Sequence, residues 1–223
     1  MKQRQPKTLS GIEAKKLVEQ LGTSTGTPAA KRKATRNKLL GLLMLEAGLR
    51  VGELVQLKIT DLVFAGMPVT SLILSKSITK GGHERTVPLS TTIQKAIEEI
   101  FIKCWNHLDP LHIRWAFPST NRYRHITARQ VEYIVEHAGI SAFGKSIHPH
   151  ILRHTFASNL MRITNIRVVQ QLLGHKSIQT TQIYTHPNQD DLTNAINGIG
   201  NAETQTKIQT LENAENNLAN SQR

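Results

Sequence analysis

A chain of 223 residues with 39% hydrophobic content is long enough to bury a real core as one domain of ordinary size, and too apolar to be disordered. No apolar run reaches membrane-spanning length, the polar start Met1–Ser10 lacks a signal-peptide core, and the single Cys104 cannot form an internal disulfide, so a half-buried thiol in a reducing cytoplasm is the expectation. The net charge of +12 is uneven, because from Asn188 onward five acids face only Lys207 and Arg223; the basic remainder favours a polyanionic partner, although ribosomal, membrane-surface and DNA-binding proteins share that property.

Met1–Thr8 is basic, polar and carries Pro6, which reads as a linker extending to residue 9. Ser10 with Glu13 three residues on forms a capping box that predicts a helix to about Gln20. Gly22–Pro28 is a turn-rich break. Leu39, Leu42, Leu43 and Ala47 then share a helical spacing over Lys31–Ala47, with Gly48 as the stop, and Glu53–Leu57 reads as a second short helix. The period changes at Ser71–Ser75 and Arg85–Leu89, two short strands joined through Lys80-Gly81-Gly82, with Ile59–Phe64 as a candidate third strand. Helices are expected again over Thr92–Lys103, Thr127–His137, a segment with Pro149 in its first turn, Ile166–Leu173 closed by Gly174, and Ser177–Tyr184. The fold class is therefore α+β, mostly helical, with a small antiparallel sheet of three strands. Beyond residue 187 the chain is rich in Asn, Gln and Thr, yet Ile208, Leu211, Ala214 and Leu218 fall on one helical face; a frayed terminus and a docking helix both fit.

Several residues carry chemistry of one kind. A phosphodiester repels nucleophiles, so its cleavage needs cationic donors that strengthen as charge builds at phosphorus, and arginine offers a planar, always-charged fork. Arg50 lies between Gly48 and Gly52 with Glu53 three residues on; taken alone it is an ordinary helix-end arginine. His150 and Arg153 are three apart, so on a helix they share a face and can grip one phosphate, although such a pair is common on surfaces. His154 sits about 100° around the helix from Arg153 and is read as structural or solvent-facing. His175 follows Leu172-Leu173-Gly174, where a helix-capping histidine is the plain alternative to a phosphate ligand. Tyr184, with a phenol that needs nearby cations to ionise, is the candidate nucleophile; Tyr123 and Tyr133 have no comparable surroundings. Lys80 and Lys76 compete as the acid for a departing oxygen. Arg85 is expected to pair with phosphate or with Glu84, and Arg122, Arg124 and Arg129 form a basic cluster suited to phosphates or to a solvated surface. The remaining histidines show no zinc-like spacing and there is no Walker-type loop, so neither metal nor nucleotide cofactor is expected.

Together, Gly48-Leu49-Arg50-Val51-Gly52-Glu53-Leu54, the Thr79–Leu89 segment, His150-Ile151-Leu152-Arg153-His154, Leu172-Leu173-Gly174-His175 and Tyr184 resemble, over roughly residues 8–187, the catalytic domain of the tyrosine recombinases of the phage-integrase, Xer-like family. The resemblance implies catalytic roles for Arg50, Lys80, His150, Arg153, His175 and Tyr184 and support from Glu53, with Lys80 on a hairpin that enters the DNA minor groove. It implies a 3′-phosphotyrosyl intermediate and no cofactor. The implied partner is double-stranded DNA bearing an inverted-repeat site, bound by a homo-tetramer that is monomeric when free, in the cytoplasm on the nucleoid. Residues 10–187 would be the catalytic domain and 188–223 a polar tail that, as in similar proteins, can dock on a neighbouring subunit. Such proteins usually carry an amino-terminal helical domain, so the chain reads either as a piece of a longer protein or as a minimal recombinase like the fimbrial invertases. A type IB topoisomerase, acting alone, and a regulatory DNA-binding protein that kept the fold are the rival readings.

Overall fold

The computed structural model describes residues 7–105, 115–120 and 123–184. Helix α1, Gly11–Gly22, starts where the capping box places it: the Ser10 hydroxyl accepts from the Glu13 amide at 3.2 Å, and the Glu13 carboxylate accepts from the Ser10 amide at 2.9 Å. Thr27 caps α2, Pro28–Leu45, with Pro28 in its first turn. The second half of α2 is apolar nearly all round. Leu39, Leu40, Leu42, Leu43 and Met44 are all buried, because α1, α5 and α7 pack on different sides of it.

The turn after α2 is tight. Gly48 has φ +63° and its α-carbon lies against the Phe156 ring, so a side chain there would meet both a strained backbone and an occupied space. Two helical turns follow, α3 (Val51–Leu54) and α4 (Ile59–Leu62).

The sheet departs from the expected three strands. Ile59–Leu62 is helical, with the Asp61 carboxylate accepting from the Lys58 amide at 2.8 Å. Only Val63–Phe64 (β1) is extended, and it folds back on Met67–Pro68 (β2) through Ala65 and Gly66, both at positive φ, the geometry of a two-residue hairpin. Pro68 has no amide to continue a ladder. The second antiparallel pair, β3 (Ser71–Leu74) with β4 (Arg85–Pro88), runs from Ser71↔Pro88 to Leu74↔Arg85 and is separate from the first. In it Leu72, Leu74 and Val87 point inward, and so does Arg85.

Four longer helices and one short one complete the described residues: α5 (Thr91–Ile100), continued by a π-helical turn Phe101–Trp105; α6 (Ala128–Phe143); α7 (Pro149–Met161); α8 (Ile166–Leu173); and α9 (Gln179–Gln182). Gly174, at φ +62°, closes α8 as the sequence predicts, and Asn165 caps its start, while α6 runs six residues beyond the expected His137. Of the helix expected over Ser177–Tyr184, only Gln179–Gln182 is regular. A large core gathers around α2, and a smaller cluster of Phe156, Ala157, Val169 and Leu173 packs against Tyr184. No helix among the described residues is long and apolar enough to cross a membrane. The tail beyond residue 187 lies outside the described residues.

Candidate active site

The site is built around one buried carboxylate. Glu53, 1% exposed at the end of the α3 turn, receives two hydrogen bonds from Arg85, Nη1 to Oε1 at 2.8 Å and Nη2 to Oε2 at 2.7 Å. Arg50 adds a third from its Nη1 at 3.0 Å and a fourth from its own backbone amide at 2.9 Å. Burial would raise the Glu53 pKa, but the Arg85 hydrogen bonds and charge, the Arg50 amide and the Arg153 charge outweigh it, and the acid is held below its ordinary value.

Arg153 enters from α7. Its Nη1 donates to the Gly48 carbonyl and its Nη2 to the Leu173 carbonyl at 2.6 Å, which ties the α2–α3 turn to the end of α8. Burial first, then the charge of Arg50, pushes the guanidinium pKa down to about 9, with Glu53 working the other way; Arg153 is still a cation at neutral pH. Three arginines thus surround one carboxylate, leaving a surplus of positive charge that suits a phosphate.

His175, placed by the Gly174 turn, has Nε2 3.5 Å from Arg153 Nη2 and Nδ1 2.9 Å from Thr181 Oγ1. Burial, then Arg153 and Arg50, depresses its pKa to about 4, so it is neutral at pH 7. Arginine only donates, so Nε2 is the acceptor and the ring proton sits on Nδ1, facing Thr181. Tyr184 lies half-buried just after α9. Burial pushes its pKa up, while Arg153 and Arg50 pull it down.

The structure therefore brings Arg50, Glu53, Arg153, His175 and Tyr184 together. His150 is exposed, one turn before Arg153 and His154 on α7. Lys80 is exposed on the β3–β4 turn, and no hydrogen bond or ion pair joins it to the cluster among the described residues. Its turn nevertheless lies beside the site, since a Cβ on Gly81 would stand 3.3 Å from Cε of Lys176.

Two expectations change. Arg85 turns into the protein and does not pair with Glu84. It is 8% exposed, bound to Glu53, and its Nε donates to the Leu172 carbonyl at 3.0 Å. Strand alternation carried that signal, because Arg85, Val87 and Leu89 must share the inward face. Of the two readings of His154, structural or solvent-facing, the second is displaced: the ring is half-buried and its Nδ1 is 2.5 Å from the Tyr184 hydroxyl. Being four residues after His150, it shares that histidine's helical face, a spacing the comparison with Arg153 alone overlooks.

The outlying basic residues do not join this cluster. Arg124 is exposed and its carbonyl accepts from the Ser119 amide at 2.8 Å. Arg129, on α6, lines a cavity of about 390 Å³ with Arg36, Ile126, Gln130, Tyr133 and Ile134. Arg122 lies outside the described residues.

A mostly helical domain with arginines, a histidine and a tyrosine around a phosphate-sized charge surplus defines a class. The Phage integrase family model matches residues 7–191, and the chain belongs to that family. It is 34% identical over 192 residues to tyrosine recombinase XerA of Pyrococcus horikoshii, an alignment covering 86% of this chain and 60% of the relative. The crystal structure of XerA recombinase superposes with a TM-score of 0.69 at 31% identity, covering 89% of this chain and 65% of that one. The pre-cleavage complex of XerH site-specific recombinase with its difH substrate superposes with a TM-score of 0.67 at 26% identity, covering 88% of this chain and 55% of that one. The chain thus spans about three fifths of the length of the curated relatives it matches.

Proposed function

We propose that this chain is the catalytic domain of a site-specific DNA recombinase that cuts and rejoins strands through Tyr184, with residues 10–187 forming that domain. The observation that carries the reading is the gathering of Arg50, Arg153, His175 and Tyr184 beside one buried carboxylate, Glu53, with more positive charge than that carboxylate balances. The Tyr184 oxygen attacks the scissile phosphorus and the bond to O5′ breaks, leaving a 3′-phosphotyrosyl link. Arg50 and Arg153 hold the phosphate oxygens, His150 and His175 add donors to them, and Lys80 delivers a proton to O5′ from its turn. A 5′ hydroxyl from another strand then attacks the phosphorus and releases the tyrosine. The bond energy stays in the covalent link, so the cycle needs no nucleotide or metal.

The named relatives support DNA as the partner, since XerH is described bound to its difH substrate. We assign double-stranded DNA with an inverted-repeat site, a homo-tetramer assembled on it from free monomers, phosphate contacts by Arg122, Arg124 and Arg129, and action on the nucleoid in the cytoplasm. The 188–223 tail is assigned to contact with a neighbouring subunit.

The test is a nicked suicide substrate made from the protein's own genomic junctions. An SDS-resistant, protease-sensitive adduct that disappears in Tyr184→Phe is the expected result. An adduct that persists in Tyr184→Phe overturns the nucleophile, and binding without any adduct, with or without a fused amino-terminal domain, overturns the enzymatic reading.

A further inference from the structure

The reaction just described leaves one proton unassigned. As the Tyr184 oxygen bonds to phosphorus it must lose its hydrogen, and the groups assigned to the phosphate are poor places to send it: His150 is exposed on α7, one turn before His154, and no hydrogen bond joins it to the phenol among the described residues. Arg50 and Arg153 only donate. Lys80, as the acid for O5′, must itself be charged at the start. His175 has Nε2 facing Arg153 and Nδ1 facing Thr181, so neither nitrogen is directed at the phenol.

The partner of the phenol is on α7. Among the described residues, the hydroxyl of Tyr184 has one hydrogen-bond partner, Nδ1 of His154 at 2.5 Å, with ring centroids 5.6 Å apart. Arg50 and Arg153 act on the phenol through their charge, which draws its oxygen lone pairs toward them and leaves its hydrogen for the one hydrogen-bond partner in reach among the described residues. The imidazole is a fitting acceptor, because burial, then the charges of His150 and Arg153, keep it below its ordinary pKa and neutral at pH 7. Its own position is fixed. His154 is on the same helix as Arg153, whose guanidinium is tied to Gly48 and Leu173.

We propose that His154 Nδ1 is the proton acceptor for the Tyr184 nucleophile, a catalytic role within the recombinase reading on which it rests. The Tyr184 O–H hydrogen passes to Nδ1 as the oxygen–phosphorus bond forms, the phosphorus–O5′ bond breaks, and O5′ leaves with the Lys80 proton. His154 becomes an imidazolium beside a phosphate that has lost no charge. On rejoining, the same proton returns to the tyrosine as it leaves. The charged and titratable groups acting on this pair are His150 and Arg153 on α7, Arg50 before α3 and His175 after α8, with Glu53 and Arg85 behind the arginines, so the pH profile reports them together.

Two measurements test it. In the DNA-free protein, nitrogen-15 correlation of the His154 ring is expected to show Nδ1 without a proton at pH 7; a protonated Nδ1 means that the histidine donates to the phenol, and overturns the proposal. This result does not depend on DNA cleavage, so it separates failure here from failure of the recombinase reading. The second measurement is single-turnover cleavage of a suicide substrate carrying sulfur in place of the bridging 5′ oxygen, a leaving group that needs no acid. Lys80→Ala is expected to recover on that substrate. His154→Ala is expected to remain about a hundred- to ten-thousand-fold slow at pH 7, as for loss of a general base, and to gain as pH approaches the phenol's own range. His154→Asn keeps a hydrogen-bonding group near the phenol but cannot take a proton, and is expected to be slow as well. A normal rate in His154→Asn, or sulfur rescue of either variant, overturns the assignment.

Discussion

Replacing Glu53 with glutamine tests whether the site depends on its buried anion. The side chain is 1% exposed and Arg85 is nearly as deep, so the loss falls in a part of the protein where water cannot compensate. Glutamine keeps one oxygen but turns an amide N–H₂ toward a guanidinium, so one of the two hydrogen bonds from Arg85 and one of the two from Arg50 are lost. Removing one partner of a buried pair costs about 3–5 kcal/mol. In a domain of this size each kcal/mol moves the melting point by about 2–4 °C, so Glu53→Gln should melt roughly 6–20 °C lower. Urea unfolding of the single variants and of Glu53→Gln/Arg85→Met gives the coupling. The double variant should lose less than the sum of the singles, because Arg85, the arginine bound to both carboxylate oxygens, is no longer left buried without its partner. The pH dependence has a definite sign. An acid held below its ordinary pKa contributes stability that is complete above the ordinary value and disappears as pH falls through the lowered one, so the variant's stability should be flatter in acid. A Glu53→Gln cost below about 1 kcal/mol, or strict additivity with Arg85→Met, would refute the argument that this carboxylate organises the site.

Other consequences can be measured alongside. Gly48→Ala should lose about 2–5 kcal/mol in urea unfolding, from a left-handed backbone and from collision with the Phe156 ring, and a loss under about 1 kcal/mol would mean that α7 yields easily. Because His175 is neutral with Nε2 as acceptor, donating to a phosphate requires it to gain a proton. Calorimetry at pH 6 in buffers of different ionisation enthalpy should therefore show proton uptake on binding cleavable DNA, and His175→Asn should abolish that uptake; equal uptake in the two proteins would place the proton elsewhere.

The local signals in the chain were strong. Ser10 with Glu13, Gly174, and Pro149 each mark a helix end by chemistry that needs no tertiary partner, and those ends stand where the sequence predicts them. The candidate site was legible to the extent that its residues occupy recognisable local patterns, Arg50 with Glu53 and His150 with Arg153. Pairing across the fold was not legible. Arg85 reads as a surface cation until β4 is known to turn it inward onto a carboxylate 32 positions earlier. His154 acquires a role only when the chain returns 30 residues later with Tyr184. The two separate hairpins reflect the same limit, since the helical turn at Ile59–Leu62 is set by an Asp61 cap that a strand-like run of apolar residues hides.

The grip of Arg153 on Gly48 and Leu173 has an evolutionary consequence. One side chain both lies in the candidate site near Tyr184 and fastens together two stretches of backbone 125 positions apart, so selection for a folded protein guards it even when selection for chemistry lapses. Lys80 and His150, exposed and without such duties, have no equivalent protection. On the recombinase reading proposed above, a lineage that drifts from cutting DNA toward merely holding it should shed those two positions early and keep Arg153 for its hold on the backbone.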